Sequence, residues 1–269
     1  MNIALKIITF STGASLFSQV LPITNLIQSP TALLNAPVSL VSPIVSPVAG
    51  PLVDLFFGAE AKTAYAADIV NGQISFVSSR DAYQASLAVV RKYASTIESE
   101  ADAQGVPEDV ALGVALLENG GSETAKSPAG ALGVYQLMPR TAKNLGLTVS
   151  RKQDDRKDPA MSIHAGISYL KQNFDRFGDW GLATWAYHAG EGNVTKALKI
   201  YASEHDGIKL AGLSDQNELH DYVVSHGITI HKLLSDSAVQ KFTDKLHDDS
   251  AGYPYKVMAT AELFRQASA

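Results

Sequence analysis

Glu118 closes the apolar run Val114-Ala115-Leu116-Leu117. A carboxylate there is disfavoured twice. Burial raises the free energy of the ionised form, and so does the negative end of a helix dipole. Both effects raise the pKa, and a carboxyl kept protonated near neutral pH can act as a general acid. On spacing alone, Glu118 could equally be a solvated glutamate at a helix end. No other grouping competes with it. There is no cysteine, which excludes disulfides, thiolate-ligated zinc, iron–sulfur clusters and a cysteine nucleophile. The seven histidines give no helical zinc pair: His226 and His231 are five apart, and His220 adjoins Asp221. Ser127 has no evident base partner. Neither a metal nor a cofactor is expected.

The elements that must position Glu118 are helices. Tyr83, Leu87, Val90, Tyr93 and Ile97 recur at three and four, which predicts an amphipathic helix from about Ala82 to Gly105. A second helix starts at Pro107, with Glu108 and Asp109 at its positive end. It is apolar on most sides, so it should be buried centrally, and Gly120-Gly121 should stop it. Residues 121–138, rich in Gly, Ser, Ala and Pro, predict an irregular loop with room for short strands. Pro139 to Leu145 predicts a short helix, and Arg151 to Lys157 an exposed charged connector. Asp158-Pro159 predicts a capped helix that ends near Gly178. Another helix runs from Trp180 to Tyr187 and breaks at Gly190, with Asn193 as the cap of the next. Trp180 and Trp185 should be core. The chain is helical thereafter, with loops near 206–216 and 248–253. The expected class is mainly α, a helical bundle around a central buried helix with at most a small β element.

The order of small motifs after Glu118 is specific. Ala125-Lys126-Ser127-Pro128-Ala129-Gly130-Ala131-Leu132-Gly133-Val134-Tyr135-Gln136-Leu137-Met138-Pro139-Arg140-Thr141-Ala142 is followed by Ala186-Tyr187-His188-Ala189-Gly190. This resembles the SLT-type lytic transglycosylases, relatives of goose-type lysozyme, over roughly residues 111–194. Their signature is a Glu, then A-x-S-x-x-G-A-x-G-x-x-Q-x-M-P-x-T-A, then A-Y-N-A-G. Asp158-Pro159, Ala165-Gly166 and Tyr169-Leu170 fit the helix between the blocks. Tyr253-Pro254-Tyr255-Lys256-Val257-Met258-Ala259 looks like the family's closing helix.

The resemblance implies an α+β lysozyme-like fold and an enzyme that cleaves peptidoglycan strands. Glu118 would be the one catalytic acid/base, at the floor of a groove. It would protonate the oxygen between N-acetylmuramic acid and N-acetylglucosamine, then accept the muramic acid 6-hydroxyl proton as that oxygen attacks C1. The product would be a 1,6-anhydro end. Most glycosidases use two carboxylates; here the substrate's N-acetyl group would take the second role. Glu123 is the one carboxylate in the following loop, either a second catalytic group or a solvated residue. Ser127, Gln136 and Met138 would line sugar subsites, and Tyr187 would set its hydroxyl beside Glu118. Gln136 can donate and accept, Met138 offers adaptable apolar contact, and Gly130 and Gly133 allow close backbone approach. Met138 could equally be core, and Gln136 structural. A hydrolytic muramidase on the same fold, or an inactive glycan-binding envelope module, are the alternatives.

Four positions depart from the pattern. Asn119 stands where the family has Ser, and Gly133-Val134-Tyr135-Gln136 where it has G-L-M-Q. His188 replaces the Asn of A-Y-N-A-G. That position could help to hold the active-site tyrosine or contact sugar, so His188 joins the expected substrate-binding residues.

The apolar excess lies at the front. No charged residue occurs between Lys6 and Asp54, and the first 66 residues hold only Lys6, Asp54, Glu60 and Lys62. Lys6 followed by an apolar stretch resembles an export signal, and Ala64-Tyr65-Ala66 has the small-x-small form of a cleavage site. Prolines interrupt the stretch, which argues against a membrane span; a disordered tail or a retained anchor are the other readings. The expected organisation is an export leader over 1–66, a short linker over 67–82, and the catalytic domain over 83–269, with its motif core at 111–194 and a C-terminal helical part at 195–269. The formal net charge of −5 offers no basic footprint for nucleic acid. The expected protein is a monomer in the periplasm or cell wall, meeting a membrane only through an uncleaved leader.

Overall fold

The computed structural model describes Phe56 and residues 64–211, 215–246 and 249–268. The expected leader therefore lies almost wholly outside the described residues. Phe56 itself is fully buried in the common core. The chain is mainly α, as its patterning predicts, and β structure among the described residues is limited to isolated bridges.

Helix α1 (Ala64–Ser78) occupies most of the segment expected to be a linker. Its Ile69, Val70, Gln73 and Val77 are buried, so it is part of the folded body. Helix α2 (Tyr83–Gln104) ends at Gly105, whose left-handed φ of 67° closes the helix. Helix α3 (Glu108–Glu118) carries Glu118 as its last residue. Val110, Ala111, Val114 and Ala115 are wholly inaccessible, so α3 is the central helix. It packs between α2 and the C-terminal helix α11 (Tyr253–Ser268), and α1 lies against α11.

The α3–α11 contact is unusually close. A Cβ on Gly113 would lie 2.6 Å from the Val257 carbonyl oxygen, so only glycine fits. The Thr260 hydroxyl donates to the Gly113 carbonyl at 2.7 Å across the same contact. This fixes the register of α11 against α3, and with it the position of Tyr253 relative to Glu118.

Between them run the short α4 (Pro139–Asn144), then α5 (Pro159–Phe177), α6 (Trp180–Ala189) and α7 (Glu191–His205). Asp158 and Asp179 cap α5 and α6 by accepting from Met161 and Leu182. The cap of α7 is Gly190, not Asn193; the Asn193 amide instead donates back to the Ala189 carbonyl. Trp180 and Trp185 are core residues. The remaining helices are α8 (Gln216–Ser225), α9 (Ile230–Ser235) and α10 (Ser237–Thr243).

One expectation is reversed. The connector Arg151–Lys157 is not uniformly exposed, because Asp155 and Arg156 are buried. Arg156 pairs with Asp154 through two nitrogens and donates to the Gly130 and Leu137 carbonyls. Charge at this position marks a clamp on the loop that follows Glu118, which composition alone could not distinguish from a solvated run.

Candidate active site

Glu118 sits where α3 ends, so the negative helix terminus faces its carboxylate. The residue is half-buried. Burial pushes its carboxyl up to about 7, against the lowering pull of a hydrogen bond from Tyr253 and of the nearby Arg80. The Tyr253 hydroxyl donates to Glu118 Oε1 at 2.7 Å. Tyr253 is itself buried, and its phenol is driven well above the usual tyrosine range by desolvation and by the Glu118 charge. It stays protonated and remains a donor.

Asn119, which follows, is fully buried and acts as a brace. Its amide nitrogen donates to the Ser86 and Ala115 carbonyls, and its Oδ1 accepts from the Gly121 N–H. The start of α2 is thereby drawn against the turn beyond Glu118. Arg80 lies in the α1–α2 turn, whose 77–83 backbone is closed by two hydrogen bonds.

The loop from Ala125 to Met138 forms two isolated bridges, Lys126 with Leu132 and Leu132 with Leu137. Ser127 closes it locally: its hydroxyl accepts from the Ala131 N–H, and its own N–H donates to the Ala131 carbonyl. Gly133 has a φ of 91°, and a Cβ there would meet the Arg156 carbonyl oxygen at 2.2 Å. Gln136 has a φ of 44°, unusual for a residue with a side chain. Its Nε2 donates to the Ala125 and Gly133 carbonyls, which holds this strained backbone in place. The amide nitrogen of Gln136 is thus committed to the loop. Met138 is 42% exposed, so it is not a core residue.

Tyr187 lies near Glu118 but makes its hydrogen bond elsewhere. Its hydroxyl donates to the Tyr135 carbonyl at 2.6 Å rather than to Glu118. It stands close enough that the Glu118 charge helps to raise its pKa, after burial. The hydroxyl on Glu118 belongs to Tyr253, which the sequence pattern marked only as the start of a closing helix. Tyr135 is buried, donates to the Ala111 carbonyl at 2.9 Å, and packs its ring on Gly166. His188 is exposed, and its ring stacks on Tyr253 at a centroid distance of 4.4 Å and an interplanar angle of 11°.

Glu123 points to a different partner. It pairs with Lys92 on α2, which holds its carboxyl below the usual range. Its carboxyl is engaged in this ion pair near the surface. Among the described residues no second carboxylate acts on Glu118; the charged group that does is the cation Arg80.

Fold and site together describe a helical domain with one partly desolvated acid above a strained loop of small residues. Residues 95–208 match the family model described as the transglycosylase SLT domain. A transglycosylase of Enterobacteria phage PRD1 is 39% identical over 87 residues, covering 32% of this chain and 31% of the relative. Membrane-bound lytic murein transglycosylase D of Escherichia coli K12 is 30% identical over 132 residues, covering 49% of this chain and 29% of the relative. The chain thus spans less than a third of either. A structure of the lytic transglycosylase Slt of Pseudomonas aeruginosa, an inactive mutant, aligns with 81% of this chain and 35% of its own at 21% identity and a TM-score of 0.44.

Proposed function

We propose that this protein is an exported lytic transglycosylase that cleaves the β-1,4 bond between N-acetylmuramic acid and N-acetylglucosamine in peptidoglycan. The observation that carries this reading is the single carboxyl of Glu118, pushed up to about 7 by burial and held by one phenol. Such a group is partly protonated at neutral pH, as an acid that must later act as a base requires.

In the proposed reaction, protonated Glu118 gives its proton to the glycosidic oxygen. The C1–O bond breaks, its electron pair stays with that oxygen, and the N-acetylglucosamine 4-hydroxyl leaves. Positive charge grows at C1 of the muramic acid, where the substrate's own N-acetyl group stabilises it. Glu118, now a carboxylate, accepts the 6-hydroxyl proton as O6 bonds to C1. The 1,6-anhydro ring closes, Glu118 is protonated again, and no water is consumed. Tyr253 supports the middle of this cycle, because its hydrogen bond favours the ionised carboxylate. The pairing of Glu123 with Lys92 supports a scheme without a second carboxylate.

Ser127, Gln136, Met138, Tyr187 and His188 form the proposed substrate-binding set around Glu118. Ser127 and Gln136 contribute mainly by shaping the loop, since their side-chain hydrogen bonds lie within it. Exposed Met138 offers an apolar surface to a sugar. Export to the periplasm or cell wall follows from where this substrate lies and from the uncharged leader.

Mass spectrometry of purified peptidoglycan digested by the protein is the test. Anhydro ends that vanish with Glu118→Gln support the proposal. Reducing ends would mean hydrolysis, and equal release by wild type and variant would remove Glu118 from the chemistry.

A further inference from the structure

We propose that His188 is a positioning residue, which fixes the Tyr253 hydroxyl on Glu118 by lying flat against the Tyr253 ring. The proposal rests on Glu118 being the acid. Three observations carry it. The rings are nearly parallel, 11° apart with centroids at 4.4 Å, so His188 lies flat against one face of the phenol. The opposite end of that phenol makes the 2.7 Å bond to Glu118 Oε1. The neighbouring tyrosine offers no substitute, because the Tyr187 hydroxyl is committed to the Tyr135 carbonyl.

The last turn of α6 therefore carries two consecutive rings with different partners near the acid. Tyr187 ties this turn to the loop at Tyr135, and His188 ties it to the first residue of α11. An asparagine at position 188, the residue of the resembling family, has no ring to cover Tyr253. It would hold a tyrosine by hydrogen bonding alone. The histidine instead offers Tyr253 a near-parallel stack, an arrangement open to aromatic rings when offset.

The groups acting on Glu118 are Tyr253 from α11 and Arg80 from the α1–α2 turn; Tyr187 from α6 feels the Glu118 charge, and Tyr135 acts on both tyrosines. Of these, Tyr253 supplies the hydrogen bond. A Tyr253 released from its stack donates more weakly, and Glu118 becomes easier to protonate.

The test follows the Glu118 carboxyl carbon by NMR titration in the full chain, a readout independent of turnover. His188→Ala and His188→Asn should move the midpoint upward by roughly 0.5 to 1 pH unit. His188→Phe, which keeps a plane but no ring nitrogen, should restore the wild-type midpoint. In a Tyr253→Phe background, His188→Ala should add nothing. An unchanged midpoint in His188→Ala overturns the proposal, and so does a Phe variant that behaves like the Ala variant. Failure of the wild type to release anhydro ends would sink the functional reading and leave this titration result standing by itself.

Discussion

Tyr253 and Glu118 are 135 residues apart in sequence and joined by a 2.7 Å hydrogen bond. The bond favours the ionised carboxylate, while burial favours the neutral acid and wins, leaving the group at about 7. Tyr253→Phe removes only the hydroxyl. The Glu118 midpoint should rise, so the acid form persists to higher pH and the alkaline limb of the pH–rate profile moves upward. Turnover should fall by about 10- to 100-fold, because the carboxylate that must form in mid-reaction loses its donor. A pH–rate profile on purified peptidoglycan checks both effects.

The raised Glu118 pKa also makes stability depend on pH. Below the unfolded value, near 4.5, the carboxyl is protonated in both states and costs nothing. As pH climbs, the unfolded chain ionises first, and stability is lost until the folded group has titrated through about 7. Glu118→Gln abolishes this loss. It should match the wild type at pH 4 and exceed it at pH 8 by on the order of 2 kcal/mol. Asp179, also pushed up to about 7 by burial, gives the same slope in both proteins and cancels in the difference. Chemical denaturation at the two pH values measures it.

Arg156 clamps the loop from both ends of its 130–137 stretch, through the Gly130 and Leu137 carbonyls. Arg156→Ala leaves Asp154 without its guanidinium and the Gly130 carbonyl without its donor, while the Leu137 carbonyl keeps only the Leu132 N–H. The cost should be about 3 kcal/mol. Lysine should not rescue it, because an ammonium cannot reproduce the forked contact with Asp154. Hydrogen exchange at residues 125–137 should accelerate in both variants, more than at α2 or α5.

What the sequence made legible was local. The stop at Gly105 and the cap at Asp158 have short-range chemistry, and helix boundaries followed them closely. The Glu118-to-Met138 block was readable because its residue types recur at fixed offsets. The partner of Glu118 was not, because nothing near Tyr253 in sequence says which helix α11 lies against. Tyr187 drew that role from its motif, yet its hydroxyl is 2.6 Å from a backbone carbonyl that the fold brings near. Arg156 looked solvated for the same reason, since its carbonyl partners lie 19 and 26 residues away. Helix α1 reads in the sequence as a leader end and linker, because Ile69, Val70, Gln73 and Val77 form too short a stripe to stand out.

The missing long-range information is concentrated in one glycine. Gly113 lets the Val257 carbonyl approach to where a Cβ would sit at 2.6 Å, and Thr260 bonds the Gly113 carbonyl beside it. Tyr253 lies one helical turn before Val257 on the same helix. Gly113→Ala cannot be accommodated by rotating a side chain, because the obstacle is backbone. Helix α11 must move away from α3, and Tyr253 moves with it. The variant should lose about 2 kcal/mol through overpacking, although alanine is the better helix former. Its Glu118 midpoint should rise as in Tyr253→Phe, with no change to any residue of the site itself. Thermal unfolding and a carboxyl titration of the same sample separate the two effects. A destabilised variant with an unmoved midpoint would mean that the α3–α11 contact sets stability alone and does not position Tyr253.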